Sequence, residues 1–95
     1  MDFEWDETKC AANIAKHQID FRDAAAIWQR PVIDPAFERS VGSEIRRVAI
    51  GTIGDAAILI AVVYTVRGTT LRLISARRAR RHERKCYQDK FGSGR

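Results

Sequence analysis

The spacing of apolar residues in this 95-residue chain changes from helical to strand-like near Ile45, and that change restricts the fold more than any other feature. Before it, Phe21, Ala24, Ala25 and Trp28 fall at i, i+3, i+4 and i+7, the stripe of an amphipathic helix. After it, apolar residues alternate or run unbroken through 45–53, 56–66 and 71–76, with turn residues at Gly54, Asp55 and Gly68. Short runs of this kind between turns are strands. The run 56–66 is apolar on both faces and predicts a central strand. In 71–76, strict alternation sends Leu71, Leu73 and Ser75 one way and Arg72, Ile74 and Ala76 the other.

The flanking segments complete the pattern. Phe3 and Trp5 alternate with Glu4 and Asp6, as in a short extended entry. Asp6 is placed to cap a helix over Glu7–His17, which holds three alanines and sets Cys10 and Ile14 on one face. Asp20 is a second N-cap, with Asp23 completing an imperfect capping box, and Pro31 ends that helix. The stretch 32–37, broken by Pro35, predicts at most a short edge strand, and Ser40, Gly42 and Ser43 mark a loop. From Arg77 the alternation is lost, and 78–90 predicts a helix anchored by Ala79, Cys86 and Tyr87. The expected fold is α+β: two N-terminal helices, an antiparallel sheet of three to four strands and a basic C-terminal helix. One domain over 1–91 and a disordered tail over 92–95 are expected.

Composition narrows the class. The balance of 45% apolar and 31% charged residues is that of a globular domain. The longest apolar run, 56–64, is far short of the roughly 20 residues that span a bilayer. The first six residues are acidic, unlike a secretory signal, so a cytoplasmic protein with no membrane partner is expected. Cys10 and Cys86 lack Cys-x-x-Cys spacing and read as small buried thiols. His17 and His82 are isolated, so no metal and no cofactor are expected. Net charge is +5, distributed unevenly: residues 1–38 carry eight acids and four bases, residues 67–95 ten bases and two acids. Such a basic end attracts polyanions, or an acidic protein.

Arg67, Arg72, Arg77, Arg78, Arg80, Arg81, Arg84 and Lys85 crowd into nineteen positions. Guanidinium suits phosphate because its planar fork makes two parallel charge-assisted bonds. Within the run only Glu83 is acidic, so the repulsion points to an outside anion. Arg72, between Leu71 and Leu73, sits where a charge needs a partner, either Glu83 or an acid of the first helix. Tyr64, Tyr87 and Phe91 are candidates for stacking on bases. His17, beside Lys16, is either a proton shuttle or a favourable charge at a helix C-terminus. Glu83 is either a catalytic carboxylate or the acceptor that organises the arginines, and His82 is expected to face solvent. No serine–histidine–acid set, phosphate-binding glycine loop or catalytic carboxylate pair is recognisable.

Several short motifs together resemble the BrnT toxins of type II toxin–antitoxin systems. They are Phe3-Glu4-Trp5-Asp6 with Lys9 and Asn13; Lys16-His17; Phe21 with Ala24; the strand from Arg46 and Arg47 to Gly51; Tyr64-Thr65 with Arg67-Gly68; Arg72-Leu73-Ile74-Ser75-Ala76-Arg77; and Glu83 with Tyr87. The resemblance implies a fold like that of the RelE ribonuclease toxins and an endoribonuclease that blocks translation by cutting RNA. It also implies a BrnA-like antitoxin with a ribbon-helix-helix region, the complex acting on operator DNA mainly through the antitoxin. The chain departs from the family at Arg80, where a small or hydroxyl residue is commoner, and in having His82 within the motif.

For such an enzyme, Arg72 and Arg77 are the expected holders of the phosphorane, and Arg67 of a neighbouring phosphate, with Arg46 or Arg47 extending the path. Lys16, His17, Glu83 and Tyr87 are the candidates for proton transfer. Arg78, Arg80, Arg81, Arg84 and Lys85 form a platform for RNA and antitoxin. The competing expectation is a non-catalytic module that binds nucleic acid or antitoxin through the same charge.

Overall fold

The computed structural model describes residues 1–92; the expectation of a disordered tail falls, apart from Gly92, outside the described residues. A short strand β1 (Asp2–Glu4) leads into helix α1 (Glu7–His17), followed by α2 (Phe21–Ala24) with 3₁₀ turns over Ala25–Gln29. Strands β2 (Ile33–Val41), β3 (Glu44–Ile53), β4 (Ile58–Arg67) and β5 (Thr70–Arg78) then precede helix α3 (Arg81–Phe91). The α+β class is as expected, but the sheet has five strands, ordered β1-β5-β4-β3-β2, and is mixed. The extended entry lies parallel to β5, with Phe3 opposite Leu71 and Glu4 opposite Arg72, which corrects the all-antiparallel expectation.

Only one of the two expected N-terminal helices is a full helix. Asp6 accepts hydrogen bonds from the Thr8 and Lys9 backbone N–H groups at 2.8 and 3.2 Å and starts α1, whose last turn holds Lys16 and His17. The second helix makes one α-turn and tightens to 3₁₀. Pro31 has no N–H to offer the Ile27 carbonyl, so the Arg30 N–H takes it three residues on, at 3.2 Å. The segment also presses hard on the sheet: a Cβ at Gly51 would lie 2.8 Å from the Ile27 Cβ.

Strand β2 is longer than expected and includes Ser40. Pro35 falls where the register against β3 shifts, between Ile33 and Phe37, and as an edge position it takes no N–H from the ladder. Strand β4 is central, with Ile60, Ala61 and Val62 buried, as its unbroken apolar run implies. The core lies between the sheet and α1–α2, built from Phe21, Ile27, Ile60, Val62, Tyr64 and Leu73 among others.

Strand β5 departs from the strict alternation. Tyr64 pairs with Leu73 but Val63 pairs with Ser75, so Ile74 is an extra residue, a β-bulge. Leu71, Leu73 and Ala76 therefore share the helix-covered core. Ser75 and Arg77 turn to the opposite face. Pairing with β4 carries β5 through Arg77 and Arg78, so α3 begins at Arg81 and not at residue 78. Asn13, buried on α1, clamps the bulge exit: its Nδ2 donates to the Ile19 and Ala76 carbonyls at 2.8 and 2.9 Å, and its Oδ1 accepts from the Ala76 N–H at 3.1 Å.

Candidate active site

On the face not covered by α1 and α2, β2, β3, β4 and β5 and the start of α3 enclose a groove of about 460 Å³. Its basic walls come from Arg39, Arg46, Arg77 and Arg80, with His82 and Glu83 at the helix end and Phe37, Val48 and Val63 on the floor. Two smaller recesses share its Ile74. One, of about 230 Å³, is lined by Lys9, Lys16, His17 and Ser75; the other, of about 60 Å³, by Lys9, Arg46, Arg67 and Arg72.

Arg77 and Glu83 anchor the groove. Both Arg77 terminal nitrogens donate to Glu83, at 2.7 and 2.9 Å, and the Arg80 N–H donates to Glu83 Oε1 at 2.7 Å, closing the N-terminal turn of α3. The side chains are 17% and 3% exposed. Burial alone pushes the Glu83 carboxyl up, but the hydrogen bonds and charge of Arg77 and the Arg80 N–H outweigh it and hold the carboxyl below its ordinary value. An ionised carboxylate with both oxygens engaged is a weak base, and its two bonds fix the direction of the Arg77 fork. The pair is close to neutral. The free charge in the groove comes from Arg39 and Arg80, which have no ion-pair partner among the described residues.

The other residues singled out in the sequence divide between the two faces. Arg72 pairs with Glu4 of β1 at 3.0 Å, and neither Glu83 nor an α1 acid is its partner. Arg46 lies 3.2 Å and Arg67 3.8 Å from Glu44, which they share. Alternation sends Arg47 to the other face, where it pairs with Glu38 at 2.9 Å. Tyr64 is not available for stacking on bases, contrary to expectation. It is 2% exposed, packs edge-on against Trp28 at 5.5 Å and donates its hydroxyl to Asp34. Burial, then that hydrogen bond, pushes its phenol far above the ordinary value.

Tyr87 donates to the Pro31 carbonyl at 3.0 Å and packs on Phe91, and neither lines the groove. Arg78, Arg81, Arg84 and Lys85 are exposed outside it; Arg84 donates to the Ala79 carbonyl at 2.7 Å and Lys85 pairs with Asp89 at 3.4 Å. Of Arg78, Arg80, Arg81, Arg84 and Lys85, Arg80 alone lines the groove, while Lys16 and His17 line its side recess.

Three lining residues, Phe37, Arg39 and His82, are not marked as site residues by any sequence pattern described above. Phe37, Arg39 and Val41 alternate as a strand face does, a signal masked by Pro35 and the polar residues around Gly42. Among the described residues no three His, Cys, Asp or Glu side chains converge as metal ligands would, and no helix is long and apolar enough to cross a membrane.

No curated protein matches the chain closely enough to count as a relative. The model of one family does match, described as the ribonuclease toxin BrnT of type II toxin–antitoxin systems, and the match runs over residues 5–83. It takes in all of α1 and α2, the four long strands and the Glu83 that orients Arg77. The chain thus belongs to the BrnT family of ribonuclease toxins from type II toxin–antitoxin systems.

Proposed function

We propose that the protein is a metal-independent endoribonuclease that cuts RNA in the sheet-face groove and so blocks translation, with a RelE-like mode of action. The observation that carries this reading is the convergence of Arg39, Arg46, Arg80 and the Glu83-oriented Arg77 on one groove with His82. In the reaction the 2′-oxygen bonds to phosphorus and the bond from phosphorus to the 5′-oxygen breaks. The 2′-hydroxyl proton leaves to a base and another proton reaches the departing 5′-oxygen. The products are a 2′,3′-cyclic phosphate and a 5′-hydroxyl.

Arg77 holds the phosphorane, its fork steadied by Glu83 and its backbone by the Asn13 clamp, while Arg39, Arg46 and Arg80 supply charge along the strand. Arg72 and Arg67 extend the phosphate path in the adjoining recess. Fixed positive charge of this kind contributes about 10² to 10³ in rate per donor, and general acid–base help about 10² to 10⁴. The proton-exchanging groups are His82 in the groove and Lys16 and His17 beside it; Glu83 acts as a positioning residue. A BrnA-like antitoxin with a ribbon-helix-helix region neutralises the enzyme by covering these arginines, and the complex reaches operator DNA through the antitoxin. The site of action is the cytoplasm.

Incubating the purified protein with RNA in the presence of a chelator tests the reading. Cleavage leaving 2′,3′-cyclic phosphate ends, abolished in a folded Arg77→Ala variant, is the expected result. Tight binding with intact RNA would reject catalysis, and cleavage only on addition of a divalent ion would reject metal independence.

A further inference from the structure

The groove floor is a row crossing four strands, apolar on three of them and closed by Ser75 on the fourth. Phe37 of β2 pairs with Val48 of β3, Val48 with Val63 of β4, and Val63 with Ser75 of β5, all on the groove face. Three strand spacings of about 4.8 Å make this row roughly 14 Å long. Beside it run cationic positions: Arg39 opposite Arg46 on β2 and β3, and Arg72 on β5 opposite Thr65 of β4. At the β2 end Phe37 is 39% exposed, and its ring sits 5.5 Å from the His82 ring, centroid to centroid, at 58°.

Phe37, partly exposed at the end of a floor made by Val48 and Val63, gains when a flat apolar group covers it. Here a largely apolar row is bordered by arginines, which matches the two sides of a single nucleic-acid strand: flat bases that gain from leaving water, and a charged backbone.

We infer that Phe37 is a base-stacking platform: a nucleobase of single-stranded RNA lies on its exposed ring face, edged by His82, with the neighbouring phosphates on Arg39 and Arg46. The assignment rests on the ribonuclease reading of the groove and adds a nucleobase subsite to it. Stacking on a ring face is tolerant of sequence, so the subsite holds any base and favours those that stack best. Tyr64, Tyr87 and Phe91 do not compete for this task, since none lines the groove.

The test uses the full chain and a 2′-deoxy-substituted, non-cleavable RNA oligonucleotide, with fluorescence anisotropy as the readout, against the same oligonucleotide carrying abasic positions. Wild-type protein is expected to bind the intact strand about tenfold more tightly than the abasic one. Phe37→Ala and Phe37→Leu should lose that tenfold on the intact strand and nothing on the abasic strand, whereas Phe37→Trp keeps it. Arg39→Ala should weaken both strands alike. Phe37→Leu retains apolar contact with Val48, so a loss there with an unchanged circular dichroism spectrum is not misfolding. Phe37 variants that bind the intact strand as wild type does overturn the subsite, and if they weaken only antitoxin binding the row belongs to the antitoxin instead. A wild-type protein that binds neither strand overturns the ribonuclease reading itself.

Discussion

Arg77 and Arg80 are three residues apart and line the same groove, yet they are held in opposite ways. Arg77 is on a strand, mostly buried, with its fork locked on Glu83 and its backbone steadied through Ala76 by Asn13. Arg80 stands at the mouth of α3, exposed, and only its backbone N–H is engaged by Glu83. The two arginines divide placement from free charge. Placement comes from burial and pairing, which cancel much of the charge; free charge comes from exposed side chains with no ion-pair partner among the described residues. The groove uses both, and Arg39 belongs with Arg80.

Replacing Arg77 is expected to have the largest effect. Arg77→Ala leaves Glu83 as a buried, unpaired carboxylate and is expected to lower stability by about 3 kcal/mol in urea titration, besides abolishing cleavage. A loss below about 0.5 kcal/mol would mean that the pair does not organise the site. Asn13→Ala tests the scaffold behind Arg77. It strips partners from the Ala76 N–H and C=O and from the Ile19 carbonyl, and is expected to cost about 2 kcal/mol, with faster hydrogen exchange at the Ala76 amide. Unchanged exchange there would show that β5 needs no clamp.

A smaller effect is expected in acid. The Glu83 carboxyl is held below its ordinary value of 4.5, so its contribution to stability is complete above that pH. The contribution is lost as pH falls through the lower folded value. Thermal melts of wild type should therefore fall more steeply below pH 4.5 than those of Glu83→Gln; parallel curves would contradict the linkage. Least affected in stability are Arg80→Ala and Arg39→Ala, which should stay within about 0.5 kcal/mol of wild type. Each should nonetheless reduce the salt slope of RNA binding by about 0.7, as loss of one phosphate contact from a single strand does. A destabilisation matching that of Arg77→Ala would erase the distinction between the two sets.

Much of the fold is legible in the amino-acid sequence. The caps at Asp6 and Asp20, the helix over Glu7–His17 and the central strand β4 follow from local rules: a side-chain oxygen beside free N–H groups, and a run of apolar residues too uniform for one face. The crowding of arginines after residue 67 and the motifs that resemble BrnT are likewise features of the chain in order. The site is legible only in part. Arg46, Arg77, Arg80 and Glu83 meet in the groove, but Phe37 and Arg39 are hidden in a segment that Pro35 makes look like loop, and His82 in a helix turn that looks merely solvated.

Tertiary structure alone decides which way the arginines face. Strict alternation puts Arg77 on the face of Leu71 and Leu73, and the one-residue bulge at Ile74 moves it to the groove. Nothing local marks that bulge, because it arises from the match of β5 to β4. The partners of the charges are decided the same way. Arg72 finds Glu4, 68 residues distant, only because β1 adds to the sheet in parallel, and Arg77 is left as the partner of Glu83. Local sequence determines which segments are helix or strand, since the forces that cap and extend them act within a few residues. Which charges are quenched and which stay free depends on side chains brought together by sheet pairing, and chain order alone does not contain that distance.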